Sequence, residues 1–336
     1  MKGARLLLVL AVAWVSVAGC SSDKAGSASS LTRTSSSTSS STSSTTSLAT
    51  AVTTTTVAIS QGPDPKAKAL VTPSGITVPV ISVSSDGYRV RTPCGREGDV
   101  ARGKPLTQAT VVLDPGHGGI ETGSVGANGL VERDLNLEVA RHLAELLDKA
   151  GISVVLTRNS DYRITIATRT EIATNLAPKA FLSIHHNGGS DGPSEKPGTE
   201  TFFQIASAES KRLGGLVYEE LFKEFSKYKG IVWEADSDAG AKYRPNDSGG
   251  DYYGILRRSV GVPAVLSEAL FLSNPPEAEL LAKPETQLGE AQALERAIKR
   301  FLKTDDPGSG FIEPYPRTEP AGPGGGADNC IDPALE

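Results

Sequence analysis

The sequence predicts an α/β domain in which a layered sheet carries helices on both faces, preceded by a small β-hairpin appendage. Short runs of β-branched and apolar residues alternate along the chain with amphipathic segments whose apolar residues recur every three to four positions. Stretches that contain Gly and Pro separate these runs, as expected for connecting loops. Strands that alternate with helices are typical of a sheet covered on both faces.

The first twenty residues are expected to direct export. Lys2 and Arg5 precede the apolar run 6–17, which is too short to span a bilayer as a mature helix. The sequence Val-Ala-Gly-Cys that ends at Cys20 resembles the lipobox of bacterial lipoproteins. This resemblance implies removal of a signal peptide, 1–19, and attachment of lipid to Cys20. An ordinary signal peptide followed by a chance cysteine is the alternative interpretation.

Residues 20–64 are expected to form a disordered linker. The segment is rich in Ser, Thr, Ala and Gly, which offer too little apolar surface to compensate for the entropy lost on folding. We divide the remaining chain into a small β appendage over 65–107, a catalytic domain over 108–304, and a Pro- and Gly-rich tail over 305–336.

The elements follow from local patterns. A hairpin is predicted from two β-rich runs, 75–83 and 88–91, on either side of the turn sequence Ser-Ser-Asp-Gly. The strands expected after it are 110–114, 152–156, 180–185, 199–205, 254–256 and 262–268. The expected helices are 132–150, 164–177, about 207–226, and one that begins at Pro284.

The charge, the apolar segments and the cysteines of the chain indicate which partners and which kinds of site are expected. The formal net charge is -5 with no basic block, so a nucleic-acid partner is not expected, and no second long apolar segment predicts a membrane span. Besides Cys20 the chain has Cys94 and Cys330, which in an exported protein are a possible disulfide; two unrelated thiols are the alternative. Because no two cysteines are close in sequence, a zinc site built from cysteines is not expected.

Four polar residues occupy positions where an α/β sheet places its ligand site. His117 follows the first strand of the layered sheet, His185 ends the third, Glu268 ends the last, and Glu132 begins the first helix. The carboxyl ends of strands line the ligand crevice, so these distant residues can converge. Two imidazoles and a carboxylate are a typical catalytic zinc set, and a second carboxylate can carry the proton of an attacking water.

Each of these residues also has a simpler interpretation. His117 could belong to a phosphate-binding turn, but Pro-Gly-His-Gly-Gly lacks both the Gly-x-Gly-x-x-Gly spacing and a Walker lysine. Glu132 could merely favour a helix N-terminus through the helix dipole. His185 could be a buried, hydrogen-bonded histidine, and Glu268 could pair with an arginine such as Arg257. Spacing alone therefore leaves the metal site as one of several alternatives.

Six motifs, taken together, resemble a known family. They are VVLDPGHGG (111–119), ERDLNL (132–137), Thr157-Arg158, 169–175, SIHHN (183–187) and PAVLSEALFLSNP (263–275). Their residues and order over about 108–303 are similar to the zinc-dependent N-acetylmuramoyl-L-alanine amidases of the AmiC/CwlV type (amidase_3). The resemblance implies a mixed sheet of roughly six strands and one Zn²⁺ per chain held by His117, Glu132 and His185. It also implies that Glu268 is the catalytic residue.

The chain departs from this family at a few positions. His186 stands where the family often has a small residue, and we expect it to be a neighbour of the site rather than a ligand. His142 is expected to be structural. Ala269 and Leu270 replace a more usual pair that contains glycine. The sequence has no long acidic helical insertion of the sort that blocks the cleft in regulated members, so we expect an open site or one gated by the loop 234–250.

The expected function is that of a peptidoglycan hydrolase that cleaves the amide bond between N-acetylmuramic acid and the L-alanine of the stem peptide. The protein is expected to be a monomer that faces the cell wall or periplasm, with the membrane as a partner through the lipid at Cys20. The alternatives are another zinc hydrolase of the wall, a non-catalytic wall-binding or amidase-regulating lipoprotein, and a structural lipoprotein. Degenerate metalloenzymes typically lack a ligand or the general base, whereas all four positions are filled here.

Overall fold

The computed structural model of the chain describes residues 62–189, 193–234, 239–314, 320 and 325–336. The predictions for the signal peptide, for the lipidated cysteine and for nearly all of the linker lie outside these residues. Among the described residues, no helix combines the length and the apolar character needed to cross a membrane.

The N-terminal part of the described chain forms a five-stranded antiparallel sheet rather than a hairpin alone. Its strands, in the spatial order β4-β3-β2-β1-β5, are β1 (Ala69–Val71), β2 (Thr77–Ser84), β3 (Gly87–Arg91), β4 (Glu97–Val100) and β5 (Lys104–Leu106). The predicted hairpin is β2–β3, with Ser84 paired to Gly87. The other three strands have only three or four residues, and β4 and β5 contain Gly, Pro or charged residues of low strand propensity. Pairing to the hairpin, not local preference, makes them strands.

The central sheet is mixed and has six strands, which confirms the predicted fold class. Its spatial order is β12-β10-β13-β8-β6-β7, and every neighbouring pair is parallel except β10 and β13. The strands are β6 (Val111–Pro115), β7 (Val154–Leu156), β8 (Ala180–Asn187), β10 (Glu200–Phe203), β12 (Ala241–Lys242) and β13 (Ala264–Phe271). Two further short strands, β9 (Pro193–Ser194) and β11 (Trp233–Glu234), pair only with each other.

Helices cover both faces of this sheet, as the alternating apolar pattern predicts. They are α1 (Glu132–Lys149), α2 (Ile166–Leu176), α3 (Ala208–Phe225), α4 (Gly254–Arg258), α5 (Pro275–Leu281) and α6 (Pro284–Lys303). Alternate residues of β6 show the two faces: Val111 and Leu113 pack in the core with α1, α3 and α6, whereas Val112 packs in the core that holds α2 and the N-terminal sheet. The N-terminal sheet therefore shares a core with the central sheet.

The strand predicted over 254–256 is wrong, because these residues begin the helix α4. Three apolar residues are too few to show a helical period, so the sequence does not distinguish the two states. Backbone N–H groups of Leu256 and Arg257 both donate to the carbonyl of Tyr253, which starts the helical turn. Ile255 and Leu256 are buried in the same core as α2.

The tail is irregular over its described residues, as predicted, but it is fixed to the N-terminal sheet. A disulfide joins Cys94 to Cys330, with the sulfur atoms 2.08 Å apart. The carboxylate of Asp332 accepts a hydrogen bond from the Cys94 backbone N–H at 2.7 Å and forms an ion pair with Arg96, also at 2.7 Å. The carboxylate of Glu336 accepts from the Ala101 backbone N–H at 2.9 Å. The tail thus follows the edge of the domain instead of leaving it.

Replacing both Cys94 and Cys330 by serine is expected to lower the free energy of unfolding by roughly 2 to 5 kcal/mol, because the bond closes a loop of 236 residues in the unfolded chain. Urea unfolding of the wild type and of the double variant measures this difference. A reducing agent should shift the wild-type midpoint toward that of the variant and leave the variant unchanged. Equal midpoints under oxidising conditions would contradict the expectation.

Candidate metal centre

The loop after β6 carries the first candidate ligand in an unusual backbone conformation. His117 has a φ of 62°, in the left-handed region that side chains other than glycine rarely adopt. The glycine before it makes room for a second imidazole, because a Cβ on Gly116 would lie 2.2 Å from a ring atom of His185. A side chain at Gly116 would therefore displace the imidazole of His185.

A buried ion pair holds the base of this loop. Arg169 on α2 forms an ion pair with Asp114 at 2.7 Å, and both side chains are almost fully buried. Burial opposes ionisation of Asp114, but the charge of Arg169 and hydrogen bonds to the carboxylate outweigh it, so its pKa is lowered. The same guanidinium donates to the carbonyl of His117 at 2.5 Å. A second arginine, Arg158, donates to the Gly116 carbonyl at 2.8 Å. The two guanidinium groups keep the strained loop in place by binding its carbonyl oxygens.

The three candidate ligands converge on one carboxylate oxygen. Glu132 Oε1 lies 3.1 Å from His117 Nε2 and 3.0 Å from His185 Nδ1. Glu132 is the first residue of α1, and His185 lies near the carboxyl end of β8. One ligand atom from each residue lies within 4.8 Å of the other two. The predicted triad is therefore brought together by the fold.

The charges in this cluster favour metal binding. Burial opposes ionisation of Glu132, but hydrogen bonds with His117 and His185 outweigh it and hold the pKa of the carboxyl well below its ordinary value. Burial lowers the pKa of His185, although the hydrogen bond with Glu132 opposes this effect. A carboxylate and neutral imidazoles are the forms that coordinate a metal ion. Nitrogen and oxygen donors in this combination fit Zn²⁺.

Glu268 lies on β13 beside this cluster. It is paired with His185 of β8 on one side and with Glu200 of β10 on the other. Its Oε2 is buried and has no hydrogen-bond partner among the residues that the structure describes. Burial, and then the negative charges of Glu132 and Glu200, raise the pKa of Glu268 well above its ordinary value. A carboxyl group whose pKa is raised by burial and by neighbouring negative charge is a candidate for general acid–base chemistry.

The contacts of Arg257 and His142 bear on the simpler interpretations of Glu268 and His142. Arg257 donates to the backbone carbonyls of Asp251 and Tyr252, and the described residues show no ion pair between it and Glu268. His142 is half-buried and lies 3.5 Å from Glu138 on its own helix, away from the candidate site.

Two further polar residues near Glu268, Glu200 and Tyr253, were not predicted from the sequence. Glu200 is buried and forms an ion pair with the buried Lys242 at 2.6 Å. Tyr253 lines the same cavity as Glu268, and burial, followed by the charge of Glu268, raises the pKa of its hydroxyl. A glutamate in the first position of the strand Glu-Thr-Phe-Phe was the available signal for Glu200, whereas Tyr253 lies in a loop without a pattern.

A second cavity, of about 180 Å³, adjoins both histidines on the side that faces α2 and α4. Besides His117 and His185 it is lined by the apolar side chains of Ile164, Ile166, Ile255 and Leu266. Gly325 of the tail also borders it. The tail is held there by Arg163, which donates to the carbonyl of Gly326 at 2.7 Å and to the carboxylate of Glu121 at 2.9 Å.

Comparisons with known proteins bear on the same region of the chain. A sequence model of the Amidase_3 family, described as N-acetylmuramoyl-L-alanine amidase, matches residues 111–300. The uncharacterized protein YqiI of Bacillus subtilis is 32% identical over 211 residues, which cover 62% of this chain and 90% of YqiI. The germination-specific N-acetylmuramoyl-L-alanine amidase of the same organism is 30% identical over 220 residues, which cover 60% of this chain and 84% of that enzyme.

A solved structure, Cwp6 from Clostridium difficile, aligns with a TM-score of 0.51 and 25% identity, covering 61% of this chain and 32% of Cwp6. The family match includes the loop after β6, the start of α1 and the ends of β8 and β13. It extends over more than half of the sequence. The chain therefore belongs to the Amidase_3 family of N-acetylmuramoyl-L-alanine amidases, which are hydrolases of peptidoglycan.

Proposed function

We propose that this protein hydrolyses the amide bond between N-acetylmuramic acid and L-alanine with one Zn²⁺ held by His117, Glu132 and His185. In this proposal Glu268 is the general base and then the general acid. One observation carries it: three metal-binding side chains converge within 4.8 Å next to a buried carboxyl oxygen that has no hydrogen-bond partner among the described residues.

Zinc suits the donor set of two imidazoles and one carboxylate, because catalytic zinc sites commonly have three protein ligands of these kinds. When bound, the ion supplies Lewis-acid chemistry, in that it makes water more acidic and polarises a carbonyl group. Hydrogen bonds within the chain hold the proposed ligand side chains in position. The Ser124 backbone N–H donates to Glu132 Oε2 at 2.8 Å, and Arg169 holds the His117 backbone through its carbonyl.

Glu268 moves the proton that the reaction requires. Its carboxylate accepts a proton from the attacking water as the oxygen bonds to the lactyl carbonyl carbon. It then gives that proton to the nitrogen of L-alanine while the carbon–nitrogen bond breaks, so that the stem peptide leaves with a free amine. The raised pKa of Glu268 makes its carboxylate a stronger base for the first transfer.

The N-terminal sequence supports a place of action outside the cytoplasm. We extend the proposal to a lipid anchor at Cys20, from which the Ser- and Thr-rich segment 20–64 would connect a monomeric catalytic domain to the membrane. The family's substrate, peptidoglycan, lies outside the cytoplasmic membrane, and this supports an extracytoplasmic site of action.

Glu268→Gln is expected to retain zinc and to lower the hydrolytic rate by roughly 10²- to 10⁴-fold, because the amide cannot accept the water proton. Mass spectrometry of digested muropeptides measures the release of peptides with a free N-terminal alanine, and elemental analysis measures bound zinc. Glu295→Gln, a partly buried carboxylate on α6 that pairs with Lys299, is the matched control and should keep the wild-type rate. Wild-type turnover by Glu268→Gln would refute the assigned role. Release of other products would instead indicate a different wall hydrolase.

His117→Ala is expected to lose both zinc and activity, because it removes one of three ligands from the centre. Chelator treatment should inactivate the wild type, and added zinc should restore the wild type but not the variant. His142→Ala removes a histidine outside the cluster and should still bind one zinc ion per chain. A wild-type protein that keeps full activity without any metal would overturn the metal mechanism.

Cys20→Ala is expected to move the protein from the membrane fraction to the soluble exported fraction, because the variant has no thiol for lipid attachment. Fractionation and labelling with a radioactive fatty acid measure both effects. The Cys94→Ser/Cys330→Ser double variant is the control and should remain labelled. Equal labelling of Cys20→Ala and the wild type would rule out this anchor.

A further inference from the structure

His186 is adjacent to the candidate ligand His185, and its backbone N–H donates to Glu132 Oε1 at 3.2 Å, but its side chain makes a separate set of buried contacts. Its Nδ1 lies 2.8 Å from Oδ1 of Asn136 on α1, and its Nε2 lies 3.0 Å from Oε2 of Glu290 on α6. The side chains of His186 and Glu290 are 0% exposed. One imidazole therefore connects two helices through the interior, directly behind the candidate metal centre.

Asn136 links this imidazole to the metal cluster. Its Nδ2 donates to Glu132 Oε1 at 3.4 Å and to the carbonyl oxygen of Gly116 at 3.3 Å. Both of these oxygens can only accept, so the amide nitrogen of Asn136 must face them and its amide oxygen must face His186. A hydrogen on His186 Nδ1 makes this orientation favourable.

Without the His186 ring, the side-chain amide of Asn136 would lose the hydrogen bond that fixes its orientation. Asn136 Oδ1 would then be a buried acceptor without its donor, which is unfavourable. Rotation of the amide by half a turn would bring Oδ1 against Glu132 Oε1, so two electron-rich oxygens would face each other. The rotated amide no longer donates to Glu132, and the amide that stays in place keeps this donor but loses the partner that fixes its orientation.

Stability alone does not explain the pair of His186 and Glu290. A fully buried pair of this kind is often no more stabilising than apolar side chains of similar volume. Moreover, Glu290 Oε1 is buried without a hydrogen-bond partner among the described residues, which is itself unfavourable. Glu290 instead fixes the orientation of the His186 ring, and the ring in turn fixes the hydrogen bond to Asn136.

We propose that His186 and Glu290 are positioning residues that act through Asn136 to orient the Glu132 carboxylate toward the metal position. This inference rests on the proposed zinc centre. Partners behind metal ligands typically change metal affinity by about 10- to 100-fold when they are removed. His186 thus serves the site without coordinating the ion.

The test compares zinc affinities of purified full-length variants by competition with a fluorescent zinc chelator. His186→Leu/Glu290→Leu removes the whole pair and leaves no lone buried charge, so it should fold and bind zinc about 10- to 100-fold more weakly. Glu290→Gln is the conservative variant. Its amide can still hydrogen-bond to the ring, so its zinc affinity should stay within about threefold of the wild type.

A thermodynamic cycle tests whether the pair acts through Asn136. Asn136→Leu should weaken zinc binding by about as much as the double variant, and the triple variant should be no weaker than Asn136→Leu, because residues in one hydrogen-bond network are not additive. Leu294→Ala, a core change on the same helix α6, controls for general destabilisation: it should lower the melting temperature and leave zinc affinity unchanged.

Wild-type zinc affinity in the double variant would overturn the inference, and so would fully additive losses in the triple variant. These outcomes leave the proposed function intact, because the wild type would still bind zinc and hydrolyse its substrate. If the wild type itself bound no zinc, the proposed function and this inference would both be wrong.

Discussion

Glu132 carries a buried negative charge at the point where the loop after β6, the start of α1 and the end of β8 meet. A carboxylate in such a place is stable only when several N–H groups surround it. His117, His185 and Asn136 each direct a side-chain nitrogen at Oε1, and each comes from a different part of the chain or a different turn of helix. A shift of β8 by one residue would turn His185 to the other face of the sheet. The register of the central sheet is therefore a condition for the site.

Two buried arginines stabilise the loop that carries His117. Arg158 and Arg169 are both buried, and both donate to carbonyl oxygens of the loop that carries His117. Asp114 neutralises Arg169 and, together with it, joins β6 to α2. The left-handed conformation of His117 is unfavourable by itself, so it persists because these contacts determine it from several directions. Buried groups of both signs thus leave the histidine little conformational freedom.

The sequence made the layered fold and the position of the site predictable, because both follow from patterns within single segments. His117 and His185 stand next to apolar strands, and Glu132 begins an amphipathic helix, so their convergence follows from the general layout of α/β sheets. The assignment of these three residues as metal ligands, and of Glu268 as the catalytic residue, came from the family resemblance. Contacts between distant segments leave no such pattern: nothing near Glu290 indicates that it meets His186. The short helix α4 was misjudged for a related reason, since packing against α2, not its own sequence, decides its conformation.

Part of the wall of the cavity beside His117 lies outside the family match. The match ends at residue 300, yet Gly325 borders the cavity beside His117, and the disulfide at Cys330 holds the chain five positions further on. Arg163 also holds this segment through the carbonyl of Gly326, and Arg96 holds it through Asp332. The shape of the cavity therefore depends in part on a segment that the family match does not include.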